Sequence, residues 1–454
     1  MLSMLIELVR GTIKEPFPEK PDWTSLYELI KKELVICVIG LKLYFECGIC
    51  FVAVSDNDAI LVIRAAFEDS NWQAYLGAGV MKKIINGLKT DPDLQKAEED
   101  FSHPEYIRFK NEVWDIKSGT YLHKTDNLLF SRYIDASPSE QLCEESPVLC
   151  DFCMSVFSEE KAKAKKRVLY EIIGFLISDI PNIKKAVFFI GVPNSGKSVM
   201  LRFISRLVGE GNVSHVSLSE FSQRFSIVEM YGKALNTCGE VPAAPMSGKA
   251  LDVFKSITGG DKMQLESKGK QPFSGIVTAK ILCAGNNLPT FTKIDGTSSV
   301  IERIHVLRFD NSVEDEDRDL QLEEKLWAER DLIVRHALEA LKDFVLHDMN
   351  FIVLDDESQM LELLYDMTNP IQSFIESCII FGEEYAVHVT DVYDAYCEFA
   401  KNNALPELER TEFKNLMIAQ PDIKIGKKRR LGKKSPRICF EGIKLSNMGY
   451  DLIS

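Results

Sequence analysis

The sequence predicts an α/β protein organised around one glycine-bearing loop, and three observations carry that reading. Gly191-Val192-Pro193-Asn194-Ser195-Gly196-Lys197-Ser198 fits the phosphate-loop pattern G-x-x-x-x-G-K-[ST]. Ala186 to Ile190 before it is a short unbroken apolar run, as in a parallel strand buried on both faces. Met200, Phe203, Ile204, Leu207 and Val208 after it recur at helical spacing. The glycines let backbone N–H groups curl around a polyphosphate, and a helix N-terminus adds partial positive charge. Lys197 is expected at the outer phosphates of ATP, and the Ser198 hydroxyl at Mg²⁺.

The 454 residues predict more than one domain. A hydrophobic share of 45% with 27% charged residues is ordinary for globular protein. The net charge of −14 argues against a uniformly basic nucleic-acid coat, but local basic surfaces stay open because the relevant field is local. Eleven cysteines without a secreted disulfide pattern point to a reducing cytoplasm. Two Cys-x-x-Cys pairs, Cys47/Cys50 and Cys150/Cys153, have zinc-ligand spacing. They lie far apart and inside apolar runs, so buried structural thiols are the favoured reading. Glu7 interrupts the apolar opening, which excludes a signal peptide. Leu34 to Val54 carries Lys42 and Glu46 and alternates around them, so two strands are expected there rather than a membrane span.

Residues 1–100 read as a small α/β module without chemistry. Asp56 and Asp58 are expected in a turn rather than as a metal pair. Residues 101–178 read as a mainly helical collar. Its run Lys161-Ala162-Lys163-Ala164-Lys165-Lys166-Arg167 suits either a solvated face or a DNA-facing one. Residues 179–345 depend on the loop. Leu235 to Glu240 reads as a strand ending in an acid that polarises water and supports Mg²⁺. A short helix around Leu251 to Ile257 follows. Lys262 to Phe273 reads as a hairpin with Lys268 and Lys270 at its basic tip. Ile281 to Ala284 is a buried strand, and Asn286 beyond it is placed to order the water near a γ-phosphate. Arg303 opens the strand Ile304 to Phe309, and one amphipathic helix is expected over 322–345. Residues 365–454 read as three helices, Pro370 to Phe381, Asp391 to Asn402 and Thr411 to Ala419, followed by two strands. The basic turn between the strands contains Lys427, Lys428, Arg429 and Arg430, which suits a phosphate-binding wing or a solvated loop.

The order of these segments resembles the superfamily three helicase domain, in the phage and plasmid primase–helicase branch related to the poxvirus nucleoside triphosphatase. Gly191 to Ser198 matches the first motif and Leu235 to Glu240 the second, with Gly239 where the family often has another acid. Gly259-Gly260-Asp261 through Lys268, Lys270 and Pro272-Phe273 matches the hairpin motif, with Gly269 where an aromatic is frequent. Asn286 to Pro289 matches the Asn-x-x-Pro motif, and Glu302-Arg303 stands where the family has an arginine pair. The resemblance implies an AAA+-type P-loop ATPase core with a helical collar before it and a winged-helix domain after it. It implies a hexameric ring moving 3′-to-5′ on single-stranded or forked DNA, with Arg303 as a finger lent to the neighbouring subunit. It also implies a separately encoded primase or polymerase, no membrane, and a bacterial host cytoplasm.

Two other functions fit parts of the pattern. An ATP-gated origin-binding initiator or loader would use the same loop and tail with little unwinding. A GTP switch is suggested by Thr292-Lys293-Ile294-Asp295, which fits [NT]-K-x-D. That tetrapeptide is separated from the preceding strand by Asn286 to Phe291, and no Asp-x-x-Gly follows the loop, so ATP is expected.

Overall fold

A computed structural model describes the chain except residues 1, 15–19, 41, 124, 126–127, 242–244, 247, 270, 291–297, 369, 404, 406, 429–436 and 454. The chain divides into two units. One comprises Met1–Pro242, Asp252–Asn287 and His305–Val353, and the other Ala243–Leu251, Leu288–Ile304 and Leu354–Ser454.

The first unit opens with helices packed on a three-stranded antiparallel sheet of β1 (Ile36–Ile39), β2 (Lys42–Glu46) and β3 (Phe51–Val54). The apolar stretch from Leu34 therefore supplies three strands, one more than its alternation suggests. Leu5, Ile30, Leu43, Phe45, Val62 and Ile84 meet in one core. Asp56 and Asp58 open the helix Asp56–Ala66, and Ser55 caps it by accepting the Asp58 N–H at 3.2 Å. Two acids in a first turn favour the helix through its dipole, which explains them without a metal.

Residues 101–178 are not mainly helical. A small sheet of β4 (Tyr106–Arg108), β5 (Val113–Asp115) and β6 (Thr120–Tyr121) comes first. Asp115 makes its second turn, where its Oδ1 accepts the N–H groups of Lys117 and Ser118 at 2.9 and 3.2 Å. Among the described residues of this range, the α-helices are Pro147–Val156 and Ala162–Ile177. The basic run in the second is only partly a solvated face, with Lys163 exposed and three other cations engaged within the fold. Lys165 is wholly buried against Asp310, Lys166 pairs with Glu145, and Arg167 pairs with Asp343.

The central sheet contains β7 (Ala186–Gly191), β8 (Val213–Ser214), β9 (Leu235–Cys238), β12 (Lys280–Gly285) and β13 (Ile304–Phe309). Their order is β13-β7-β12-β9-β8. β10 (Lys262–Leu265) and β11 (Phe273–Ile276) form a separate antiparallel hairpin. The helix expected over 322–345 is two, Leu322–Ala328 and Arg330–Leu346. Glu329 sits at the break, and its carboxylate reaches the collar. Its Oε2 accepts the Ser146 hydroxyl at 2.5 Å and the Val148 N–H at 3.1 Å, at the start of the collar helix.

The second unit holds the helix Pro370–Cys378, β14 (Ile379–His388), helices Val389–Asn402 and Arg410–Ile418, then β15 (Lys424–Lys428) and β16 (Arg437–Leu445). The sheet order is β14-β16-β15. The sequence reading carried the first helix on to Phe381. Ile379, Ile380 and Phe381 instead pair with Leu445, Lys444 and Ile443, partners more than sixty residues away. Phe374, Tyr396, Phe413 and Phe440 fill this unit's own core. Among the described residues, no helix is long and apolar enough to cross a membrane.

Candidate nucleotide site

β7 is buried along its apolar length and delivers the chain to the loop at the sheet's C-terminal edge. Gly191 is required there because a Cβ would lie 2.0 Å from the Phe309 carbonyl oxygen on the neighbouring strand. Asn194 and Gly196 take φ of 60° and 78°. A Cβ on Gly196 would come 2.4 Å from the Phe152 ring of the collar helix. The helix Lys197–Val208 then starts, with the Met200 N–H donating to the Gly196 carbonyl at 3.1 Å.

Lys197 is buried, and its Nζ donates to the carbonyls of Gly191 at 2.9 Å and Val192 at 2.5 Å, and to Ser195 Oγ at 3.0 Å. Burial lowers its pKa from the ordinary lysine value. Among the described residues its hydrogen-bond partners are three neutral oxygens and no carboxylate, so the ammonium is suited to an incoming anion. Ser198, in the first helical turn, is exposed, as are Val192, Pro193 and Asn194.

Register brings the other residues to the same edge. Phe188, Cys283 and Cys238 are level across β7, β12 and β9, and Ile190 is level with Gly285. Asn286 follows Gly285 directly, and Glu240 lies two residues beyond Cys238. Both are exposed. With about 4.8 Å between strands, the loop strand and the acid strand, separated by β12, stand about 10 Å apart. The turn after β9 is fixed twice. The Cys238 thiol donates to the Glu240 carbonyl at 3.0 Å, and Val241 packs where a Gly285 side chain would go.

Arg303 stands one residue before β13, at the opposite end of that strand from Phe309. It is partly buried, and its N–H donates to the Val300 carbonyl at 2.9 Å. In the hairpin, Lys268 is exposed at the tip, and Phe273, in the last pair before the turn, packs edge-on against Tyr231 with ring centroids 5.1 Å apart. Lys427 is exposed on β15 opposite Ile438, and Lys428 pairs in register with Arg437. Lys270, Arg429, Arg430 and Thr292 to Asp295 lie outside the described residues.

The sequence reading missed the residues behind the loop. Lys165 Nζ donates to the Arg308 carbonyl at 2.8 Å and to Asp310 Oδ2 at 3.0 Å. The same carboxylate oxygen accepts the Ser158 N–H at 3.1 Å, and the Val313 N–H donates to the Asn194 carbonyl at 3.0 Å. The collar and the end of β13 are thereby tied to the loop from beneath. Only the loop glycines hinted at so close an approach. Of the two Cys-x-x-Cys pairs, Cys47, Cys50 and Cys153 are buried as expected, whereas Cys150 is half-buried.

Residues 189–303, which span this site, match a family of unknown function, DUF5906. Over 242 residues the chain is 26% identical to the protein named "Putative helicase 121R" of Invertebrate iridescent virus 3. That match covers 47% of this chain and 24% of the viral protein, so the chain spans about a quarter of that relative's length. Among solved structures, the apo NrS-1 C-terminal region (305-718) matches with a TM-score of 0.53 at 11% identity, covering 94% of this chain and 100% of that one. The A form of the same region matches with a TM-score of 0.50 at 11% identity over the same shares. At that identity the likeness is one of fold. The chain thus shares its α/β architecture with the NrS-1 region and its sequence similarity with a viral protein bearing a helicase name.

Proposed function

We propose that this chain is an ATP-driven DNA helicase serving the replication of a phage, plasmid or other mobile genome. The observation that carries the reading is the convergence of the phosphate loop, Glu240 and Asn286 at one edge of a parallel sheet whose strands are in register. The insertion of β12 between the loop strand and the acid strand supports an AAA+-type core. The similarity to the viral relative supports the helicase class.

In this reading Gly191 to Ser198 cradle the ATP phosphates with backbone N–H groups, and Lys197 exchanges its loop carbonyls for phosphate oxygens. Glu240 accepts a proton from the attacking water, and Asn286 orients that water. Ser198 and Glu240 would hold Mg²⁺, which supplies positive charge against the phosphoryl oxygens when bound. Arg303 stabilises the transferring phosphoryl group in a neighbouring copy of a hexameric ring, consistent with its place at the far end of β13 from Phe309. Lys268, with Lys270, grips DNA phosphates and moves with the nucleotide state, in the 3′-to-5′ direction. The order helix, β14, helix, helix, β15, β16 supports a winged-helix domain in which Lys427, Lys428, Arg429 and Arg430 meet DNA.

That C-terminal unit, with its own core and its basic strand pair, also favours a second reading as an ATP-gated origin-binding initiator or loader. Strand displacement on a tailed duplex separates the two. Unwinding that needs ATP and is abolished by Lys197→Ala supports the helicase. A specific footprint without displacement supports the initiator.

A further inference from the structure

The hairpin that carries Lys268 has almost no core of its own. β10 and β11 form a two-stranded sheet of four residues each, and of these eight Leu265 and Gly275 alone are buried. A strand pair this short is marginal in water unless another element supports it.

Tyr231 supplies that support. It follows the short helical turn Ile227–Met230 and stands four residues before β9. Its ring meets Phe273 edge-on. Two residues further along β11, a Cβ on Gly275 would lie 2.7 Å from Tyr231 Cε2, so the ring lies across that strand. At the end of the other strand, Glu266 Oε2 accepts the Arg224 Nε–H at 2.6 Å. Arg224 and Tyr231 belong to one segment between β8 and β9, so both strands of the hairpin rest on it.

The phenol end of Tyr231 reaches the N-terminal module. Its hydroxyl donates to Glu98 Oε1, and Lys42 Nζ of β2 stands 5.4 Å from the ring centroid. Glu98 opens the short helical turn Glu98–Phe101. Phe101 is buried there, with its ring centroid 5.5 Å from that of Phe51 and 6.1 Å from that of Tyr44. A phenol donating to a carboxylate fixes the direction of the ring, and an edge-on aromatic pair fixes what rests on the ring. The module whose sequence offered no chemistry thus grips the side chain that supports the hairpin.

We infer that Tyr231 is a positioning residue for the 262–276 hairpin, anchored by Glu98, and that the N-terminal module thereby sets how firmly Lys268 is presented. The consequence for DNA rests on the helicase reading above, whereas the brace itself does not. A looser hairpin loses more conformational freedom when Lys268 grips a phosphate, so the grip weakens.

Hydrogen exchange of the full chain, followed by mass spectrometry, tests the brace. Tyr231→Ala is expected to speed exchange across 262–276 about tenfold, with peptides from β7 and the helix Lys197–Val208 unchanged. Tyr231→Phe and Glu98→Ala are each expected to speed it about twofold, and the double variant no more than either alone. In a folded Tyr231→Ala chain, unchanged hairpin exchange, or exchange faster in all three regions alike, would overturn the assignment. If circular dichroism shows that variant to be unfolded, Tyr231→Phe and Glu98→Ala decide, and unchanged hairpin exchange in both overturns it. The same variants are assayed for ATP hydrolysis with a single-stranded DNA oligonucleotide. Basal hydrolysis should stay the same, while the DNA concentration for half-maximal stimulation rises several-fold in Tyr231→Ala. A hairpin that loosens without moving that midpoint overturns the link to Lys268. A parent chain that hydrolyses no ATP and binds no DNA fails the helicase reading instead, and the exchange result still decides the brace.

Discussion

Glu171 shows how burial at a single residue becomes a pH dependence. It lies 3% exposed in the collar helix, and its Oε2 accepts the Ile352 N–H at 2.9 Å. Burial raises its pKa from 4.5 to about 7, partly opposed by that N–H. Between those two values the native state keeps a proton that the unfolded chain has lost, so stability falls as pH rises and the full cost is present above 7. Glu171→Gln keeps an acceptor for Ile352 and removes the charge. The variant should be more stable than the parent above pH 7, by about 3 kcal/mol from the size of the shift, with no difference below pH 4.5. Thermal melts across that range check it, and parallel curves for the two proteins would refute it. The sequence could not reveal this, because Glu171 is isolated among apolar residues and nothing local shows that residues 168–177 of the helix are all buried.

At the scale of elements, the collar helices pack behind the glycine loop and the end of β13. The Phe152 ring backs Gly196, and Lys165 pins the end of β13 beside Gly191. Removing one partner of a buried pair leaves the other charge uncompensated. Lys165→Met should therefore cost about 3–5 kcal/mol in urea unfolding, and a Lys165→Met, Asp310→Leu double variant should recover part of it. Equal losses in single and double variants would show that the pair is not the cause. In the C-terminal unit, Lys427→Ala should weaken DNA binding on every sequence alike and reduce the log–log salt slope by about 1. A changed sequence preference at constant slope would instead make Lys427 a base-reading residue. Elements with strong local signals were legible: β7 and the helix after the loop lie where their periodicity puts them, whereas the second hairpin strand runs Phe273–Ile276, past the expected end of the hairpin at Phe273. The break at Glu329 and the strand β14 were not. Each has a partner more than sixty residues away, Ser146 in one case and β16 in the other.

At the scale of the whole molecule, the two units interleave along the chain, since 243–251 and 288–304 belong with the C-terminal segment. The expected boundaries at 178, 345 and 365 remain a proposal about function rather than about compactness. The ring reading makes a demand that a monomer cannot meet. Chains carrying Arg303→Ala should poison the ATP hydrolysis of wild-type chains on mixing, and so should chains carrying Lys197→Ala. Co-assembled Arg303→Ala and Lys197→Ala chains should regain some hydrolysis, at seams that pair an intact cradle with an intact arginine. Phosphate release across mixing ratios measures this, and a strictly linear dependence would remove the shared site.

The sequence by itself determined the phosphate loop, the strand and helix on either side of it, and the order of acid, hairpin, amide and arginine that follows. Those features are local, because an apolar run, a glycine pair and a helical period express their preferences within a dozen residues. Only the tertiary structure decided what stands behind the loop, which lysines of the basic run are buried, and which tyrosine lies against the hairpin. Those outcomes depend on register and packing between segments distant along the chain, where burial, rather than residue type, fixes whether a charge is solvated or paired.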